Sequence, residues 1–244
     1  MIGSKAVRTA FVMGLGLAIG SGSALAEQTV IRGKIIFKGD ADKYPRKKID
    51  TSKDPNCKKS KKAIGTYNVI LNKKTDPVTI RNVMVSIKSG LEDRVFPAPS
   101  EPVTLTQIGC EYHPHVIAMT EGQELRVFNG DDTNHNIHFL PKVNEEHNFS
   151  QPKKDLEDGR ALKFQAEGPF RVKCDVHPWM GCYIGVFKHP FHDVSDREGK
   201  FEIKGMAGGT YTLEAWHEEF GTRTAEVTVA TGATANVDIV FEVE

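Results

Sequence analysis

A surplus of charge is missing from this sequence: its 244 residues hold 32 Lys and Arg against 32 Asp and Glu. A balanced chain lacks the basic surface that bulk nucleic-acid binding requires. Cysteine is scarce as well, and four in the whole chain are too few for a disulfide scaffold. No stretch carries a helical apolar stripe beyond a turn or two. Collagen-like, prion-like and coiled-coil compositions are wanting too. There is no nucleophile-elbow serine, phosphate-binding loop or haem-attachment C-x-x-C-H, and nothing resembles a zinc-peptidase motif. These gaps argue against the common hydrolase, nucleotide-binding and haem-carrying classes.

Long apolar runs are confined to the beginning. Lys5 and Arg8 precede an uncharged stretch from Ala10 to Gly20, and Ala24-Leu25-Ala26 offers a small-x-small cleavage site before Glu27. Residues 1–26 therefore read as a secretory signal peptide. The apolar run is too short to span a bilayer comfortably, and no later segment could span, so no membrane span is expected after cleavage. No cysteine follows the apolar run, which argues against a lipoprotein anchor. The expected compartment is the periplasm, where thiols meet oxidising conditions.

Beyond residue 26 the chain reads as strands. Val83, Val85 and Ile87 alternate with Met84 and Ser86; Val237, Ile239, Phe241 and Val243 alternate with Asp238, Val240 and Glu242; Ala225, Val227 and Val229 repeat the pattern. Period-two alternation of this kind marks half-buried antiparallel strands. Turn residues separate the runs, as in Asp196-Arg197-Glu198-Gly199, Gly208-Gly209 and Asn129-Gly130-Asp131-Asp132. The fold class is all-β, of sandwich architecture. Residues 40–62 stand apart, with nine Lys or Arg against four Asp and few apolar residues. They read as an extended, basic surface loop, either a solvated face or a docking patch for an acidic partner.

The stretch VSDREGKFEIKGMAGGTYTLEAWHEEFG and the subsequent AEVTVATGATANVDIVFE resemble the carboxypeptidase regulatory-like, transthyretin-like β-sandwich, through a D-x-x-G turn, an F-x-I strand and a G-T-Y-T-L strand. The resemblance covers about 190–242 and lacks its opening strands. IRGKIIFKG and RNVMVSIKSG, far upstream, look like them. This implies a discontinuous domain of residues 27–97 plus 189–244, with 98–188 inserted at a loop tip. The alternative arrangement packs consecutive pieces side by side.

Chemistry concentrates in Cys174-Asp-Val-His177-Pro-Trp-Met180. A thiolate, an imidazole and a thioether within seven residues supply most of a His₂Cys copper site with a weak axial Met. The missing imidazole fits His135, in DDTNHNIHF. HNIHF and CDVHPWM resemble the two ligand segments of the plastocyanin-type cupredoxins, and the C-x-x-H-x-x-M spacing is closest to amicyanin. The resemblance implies a Greek-key sandwich over about 98–188. It implies one type 1 (blue) copper held by His135, Cys174, His177 and Met180. Asn136 would tie the first histidine strand to the cysteine loop, a role that fixes ligand orientation. Zinc suits a Met ligand poorly. A binuclear copper centre needs two cysteines in one loop, and Cys182 falls on the wrong side of Met180.

The other histidines receive plainer readings. His138, three residues after His135, falls on the opposite strand face and is not expected to ligate the same metal. His113 and His115 read as partly exposed loop residues, with an adventitious metal site as the alternative. His189, His192 and His217 are assigned packing or solvent roles. Of the remaining cysteines, Cys57 and Cys110 lie in loops and form the natural disulfide in an oxidising compartment. That bridge would pin the basic loop to the copper-binding segment. Cys182 stays a small buried apolar residue.

The cupredoxin resemblance implies a one-electron carrier, with electrons leaving through the exposed edge of His177 inside an apolar rim of Pro178 and Trp179. The implied partner is a periplasmic redox protein: a dehydrogenase, a cytochrome or an oxidase. An enzyme is not expected. Copper oxidases and nitrite reductases place histidines beside the ligand cysteine, whereas Lys173 and Asp175 flank Cys174. Two alternatives stay open: a copper chaperone or storage protein, and a structural module carrying a copper domain.

Overall fold

The computed structural model describes residues 28–59, 63–92 and 94–244. The signal peptide read over 1–26 lies outside the described residues. The regular structure of the described residues is nearly all strand, with one short α-helix, Pro55–Lys58, and one 3-10 turn, Ala41–Lys43. None of its helices is long and apolar enough to cross a membrane.

The strands form two assemblies around two hydrophobic cores. In the first, Val30–Lys38 runs antiparallel to Lys200–Lys204 and parallel to Thr234–Asn236 and Ile239–Glu242. A facing sheet orders His192–Val194, Met84–Ser89, Gly209–His217 and Gly221–Val229 side by side. Ile31, Ile35, Val85, Ile87, Phe201, Leu213, Ile239 and Phe241 fill the space between them. The apolar members of each alternating run point inward, as a one-sided core demands.

The second assembly uses residues 103–187. One sheet orders Asn148–Gln151, His135–Leu140, Glu167–Lys173, Gly181–Phe187 and Val116–Thr120; the other orders Asp155–Lys163, Glu124–Asn129, Val103–Gln107 and Tyr112–His113. Among the described residues these strands pair only with one another. Leu105, Met119, Leu125, Val127, Ile137, Phe139, Val172 and Ile184 make up their core. The segments entering and leaving this assembly touch: Phe96 and Phe191 pack edge to face, with ring centroids 5.0 Å apart.

Met84–Ser89 departs from the half-buried pattern. Met84 and Ser86, expected to face outward, are buried together with Val83, Val85 and Ile87. The second assembly covers that face, and Gly185 makes room for it. A Cβ on Gly185 would stand 2.3 Å from Met84 Sδ.

The 40–62 segment also departs from its reading as an extended surface loop. Most charges on its described residues are exposed, but Cys57 is only 2% exposed and joins the second core. The Cys57–Cys110 disulfide draws it there, with an S–S distance of 2.03 Å.

Candidate metal centre

His135 opens the strand His135–Leu140, and Cys174 comes directly after the adjacent antiparallel strand Glu167–Lys173. The chain then turns back at once into Gly181–Phe187, the next strand of the same sheet. The turn closes on itself: Cys174 N–H donates to Met180 O at 3.2 Å, and Met180 N–H donates to His177 O at 2.9 Å. The short spacing thus returns all the loop donors to one end of the sandwich, beside His135.

The structure brings three of these donors into one cluster. His135 Nδ1 lies 3.0 Å from His177 Nδ1, and Cys174 Sγ lies 3.8 Å from His177 Nδ1. One ligand atom from each residue fits within a mutual distance of 4.8 Å. All three are buried, as is Met180 at the closing end of the turn. Two backbone N–H groups, from Asn136 at 3.4 Å and His177 at 3.3 Å, point at Cys174 Sγ. Asn136 Oδ1 accepts the N–H of Asp175 at 3.0 Å, joining the histidine strand to the cysteine loop. Tyr112, which sequence reasoning missed, donates its hydroxyl proton to Asn136 O at 2.6 Å and stands 3.0 Å from Lys173 O.

Each imidazole turns its other nitrogen to a carboxylate. His135 Nε2 meets Asp131 Oδ2 at 2.8 Å, and His177 Nε2 meets Asp54 Oδ2 at 3.2 Å. Burial pulls both imidazoles toward lower pKa, but it is outweighed. Hydrogen bonds to Asp131 and Cys174 raise His135, and bonds to Cys174 and Asp54 raise His177. Burial pushes the Cys174 thiol upward, yet hydrogen bonds from His135, His177 and the two backbone N–H groups prevail and bring it down to about 6. The cluster is therefore a ready thiolate flanked by two imidazoles, which become lone-pair donors once the protons they share with it leave. That donor set, with a thioether at hand, suits copper better than the oxygen-seeking cations.

One expectation about His177 fails. Its outer edge is not exposed; the residue is 2% accessible. The basic segment folds over it, placing Asp54 and Cys57 Sγ, the latter at 3.5 Å, against Nε2. Around it Val176 is 48% exposed, Pro178 is exposed and Trp179 is half-buried. The Trp179 ring packs on His177, with centroids 5.1 Å apart, and its Nε1–H donates to Cys110 O at 3.1 Å.

The remaining candidates lie elsewhere. His138 is held on the outer side between Asp175 Oδ2, at 3.0 Å, and Glu146 Oε1, at 2.5 Å. His113 stands 3.6 Å from Glu111. His115, read as a partly exposed loop residue, is buried: it stacks on Tyr67 and bonds to Glu218 of the first assembly. His189 Nε2 donates to Ile87 O, His192 meets Thr120 Oγ1, and buried His217 accepts two backbone N–H bonds. Cys182 is buried and unpaired, and burial raises its thiol.

Residues 188–242 match the model of the carboxypeptidase regulatory-like domain. No curated protein sequence matches the chain. Similar solved structures include a variant of amicyanin in its reduced Cu(I) form, 21% identical, with a TM-score of 0.31, over 42% of this chain and 97% of that one. A purple cupredoxin from Nitrosopumilus maritimus is 20% identical, with a TM-score of 0.28, over 34% and 98%. The copper-containing nitrite reductase of Thermus scotoductus SA-01 is 20% identical, with a TM-score of 0.30, over 38% of this chain, which spans only 25% of the reductase.

Proposed function

We propose that this chain is an exported, periplasmic type 1 copper protein that passes single electrons between redox proteins and is not itself an enzyme. The observation that carries the reading is the convergence of His135 Nδ1, His177 Nδ1 and Cys174 Sγ in a buried cluster whose outer imidazole nitrogens both face carboxylates. His135, Cys174 and His177 would hold the metal strongly, with Met180 as the weak fourth ligand. When bound, copper supplies a one-electron couple. The chain's own part is to keep the donors in place and dry. Backbone N–H groups fix Cys174, Asn136 ties the loop to the strand, and the disulfide and Asp54 cover the outer side. Little then has to move when an electron arrives or leaves.

The two separate cores support reading 98–188 as a copper domain inserted into a domain of 27–97 plus 189–244. The Cys57–Cys110 bridge supports an oxidising compartment. With the His177 edge covered, we place electron exit at Trp179, which packs on that ring and lines a cleft of about 320 Å³ beside Tyr67, Arg171 and Tyr183. Val176 and Pro178 supply the exposed apolar rim for a transient partner such as a dehydrogenase, cytochrome or oxidase.

The test is the visible charge-transfer band of the Cu(II)-loaded full chain. Cys174→Ser should abolish it, and Met180→Leu should keep colour while shifting the reduction potential. Full colour in the serine variant defeats the assignment. Trp179→Lys should slow exchange with a protein partner and with a small redox dye alike, whereas Val176→Lys should slow the protein partner alone. Slow exchange in the parent chain, with ready loss of copper to a mild chelator, would favour copper handling instead.

A further inference from the structure

Asp54 reaches the donor cluster from outside its sandwich, 123 residues before His177 in the sequence. Its two oxygens have separate partners. Oδ1 accepts the N–H of Asn56 at 2.7 Å and of Cys57 at 2.9 Å, capping the short helix Pro55–Lys58. Oδ2 faces His177 Nε2 at 3.2 Å. Across the disulfide the pattern repeats. Asp131 accepts the N–H of Gly109 and of Cys110, each at 2.8 Å, and faces His135 Nε2. The two carboxylates that hold the imidazoles are thus joined through one covalent bridge.

We propose that Asp54 is a positioning residue for the metal centre, holding the proton of His177 on Nε2 and leaving Nδ1 as the ligand lone pair. The inference rests on the copper reading above. A neutral imidazole carries one proton, and a carboxylate can only accept. The nitrogen facing Asp54 must therefore donate, so the nitrogen facing Cys174 and His135 must be bare. Metal-bound histidines commonly donate their far N–H to such a group, which also strengthens them as ligands. The covered edge of His177 then has a purpose: the segment that hides it also sets which nitrogen can bind.

Asp54→Asn separates this role from a structural one. Asn caps helices about as well as Asp, so its oxygen stays on Asn56 and Cys57 and its NH₂ group turns to His177. A donor in that place needs Nε2 as acceptor, which sends the ring proton to Nδ1. In the metal-free full chain, at a pH above the raised His177 pKa where the ring is neutral, ring ¹⁵N NMR should show His177 protonated on Nε2 in the parent and on Nδ1 in Asp54→Asn. The variant should bind Cu(II) about 10- to 100-fold more weakly. A tenfold loss confined to Cu(II) raises the potential by about 59 mV. Asp50→Asn, whose exposed carboxylate accepts from Ser52 and does not reach His177, removes the same charge nearby and should shift affinity less than about twofold. Asp54→Ser, which caps but falls short of His177, should release the tautomer preference and again weaken Cu(II). Nε2 protonation in all variants, or equal affinities for Asp54→Asn and Asp50→Asn, overturns the proposal. The metal-free NMR arm does not depend on copper, so a failed copper assignment registers separately in the Cys174→Ser colour test.

Discussion

Removing the Cys57–Cys110 bridge should weaken the sandwich of residues 103–187 by an amount set by chain entropy. The bond spans a sequence separation of 53. Closing a loop of that length restricts the unfolded chain by about 4 kcal/mol in the loop-entropy model, which is roughly a thousandfold in the unfolding equilibrium. Both cysteines are buried in the same core. Cys57→Ala with Cys110→Ala therefore suits the test better than serine, whose hydroxyls would be buried without partners. Urea unfolding of the metal-free chain is the assay, since bound copper would add its own stabilisation. Trp179 packs against the relevant core and Trp216 lies in the other assembly, so a Trp216→Phe background isolates the signal. At a slope of about 2 kcal/mol per molar urea, the midpoint should fall by about 2 M. A loss below about 1 kcal/mol would refute the argument that the bridge acts on the unfolded chain. The same variant, loaded with copper, should surrender it to a chelator faster, because Asp54 loses its anchor over His177.

Burial and charge set two further outcomes. Cys174 falls from an ordinary 9.0 to about 6 in the folded chain. Between those values the unfolded chain holds a proton that the folded chain has released. The metal-free protein should therefore gain stability as pH rises from about 6 to about 9 and lose it as pH falls back through 6; Cys174→Ser should flatten that slope in denaturant titrations. Gly185→Ala drives a methyl group against Met84 in a filled interface and should cost about 1–3 kcal/mol. Combined with Met84→Ala, it should cost less than the two changes added separately, as a double-mutant cycle reads directly.

Much of the strand content is legible in the sequence because Val227, Val229, Ile239 and Phe241 alternate over one buried face. The same logic is incomplete at Met84 and Ser86, where a second assembly covers the outer face and no local pattern announces it. Cys174, His177 and Met180 can be read from type and spacing, since a tight turn confines these three donors to seven residues, and His135 from the resemblance of its HNIHF segment. Asp54 cannot. Its composition belongs to a charged surface segment, and only the tertiary bridge at Cys57 carries it to His177. The disulfide can be expected from two loop cysteines, but its consequence for the exposure of His177 cannot. Pinning a loop to a sandwich does not say which side chain it will cover. Asp131 is closer to hand, four residues before His135 within the same motif.

The placing of Val30–Lys38 beside Ile239–Glu242 also bears on mechanics. The two strands run parallel and bond residue by residue from Ile35 against Ile239 to Lys38 against Glu242. Tension applied to the chain before Val30 and after Glu242 pulls these neighbours along opposite directions, so the ladder is loaded in shear and its bonds share the force together. Residues 103–187 hang from the facing sheet, between Met84–Ser89 and His192–Val194, as a side loop whose two stalks meet at Phe96 and Phe191. A stretched molecule would thus keep His135, Cys174 and His177 unstrained until the outer sandwich had already torn.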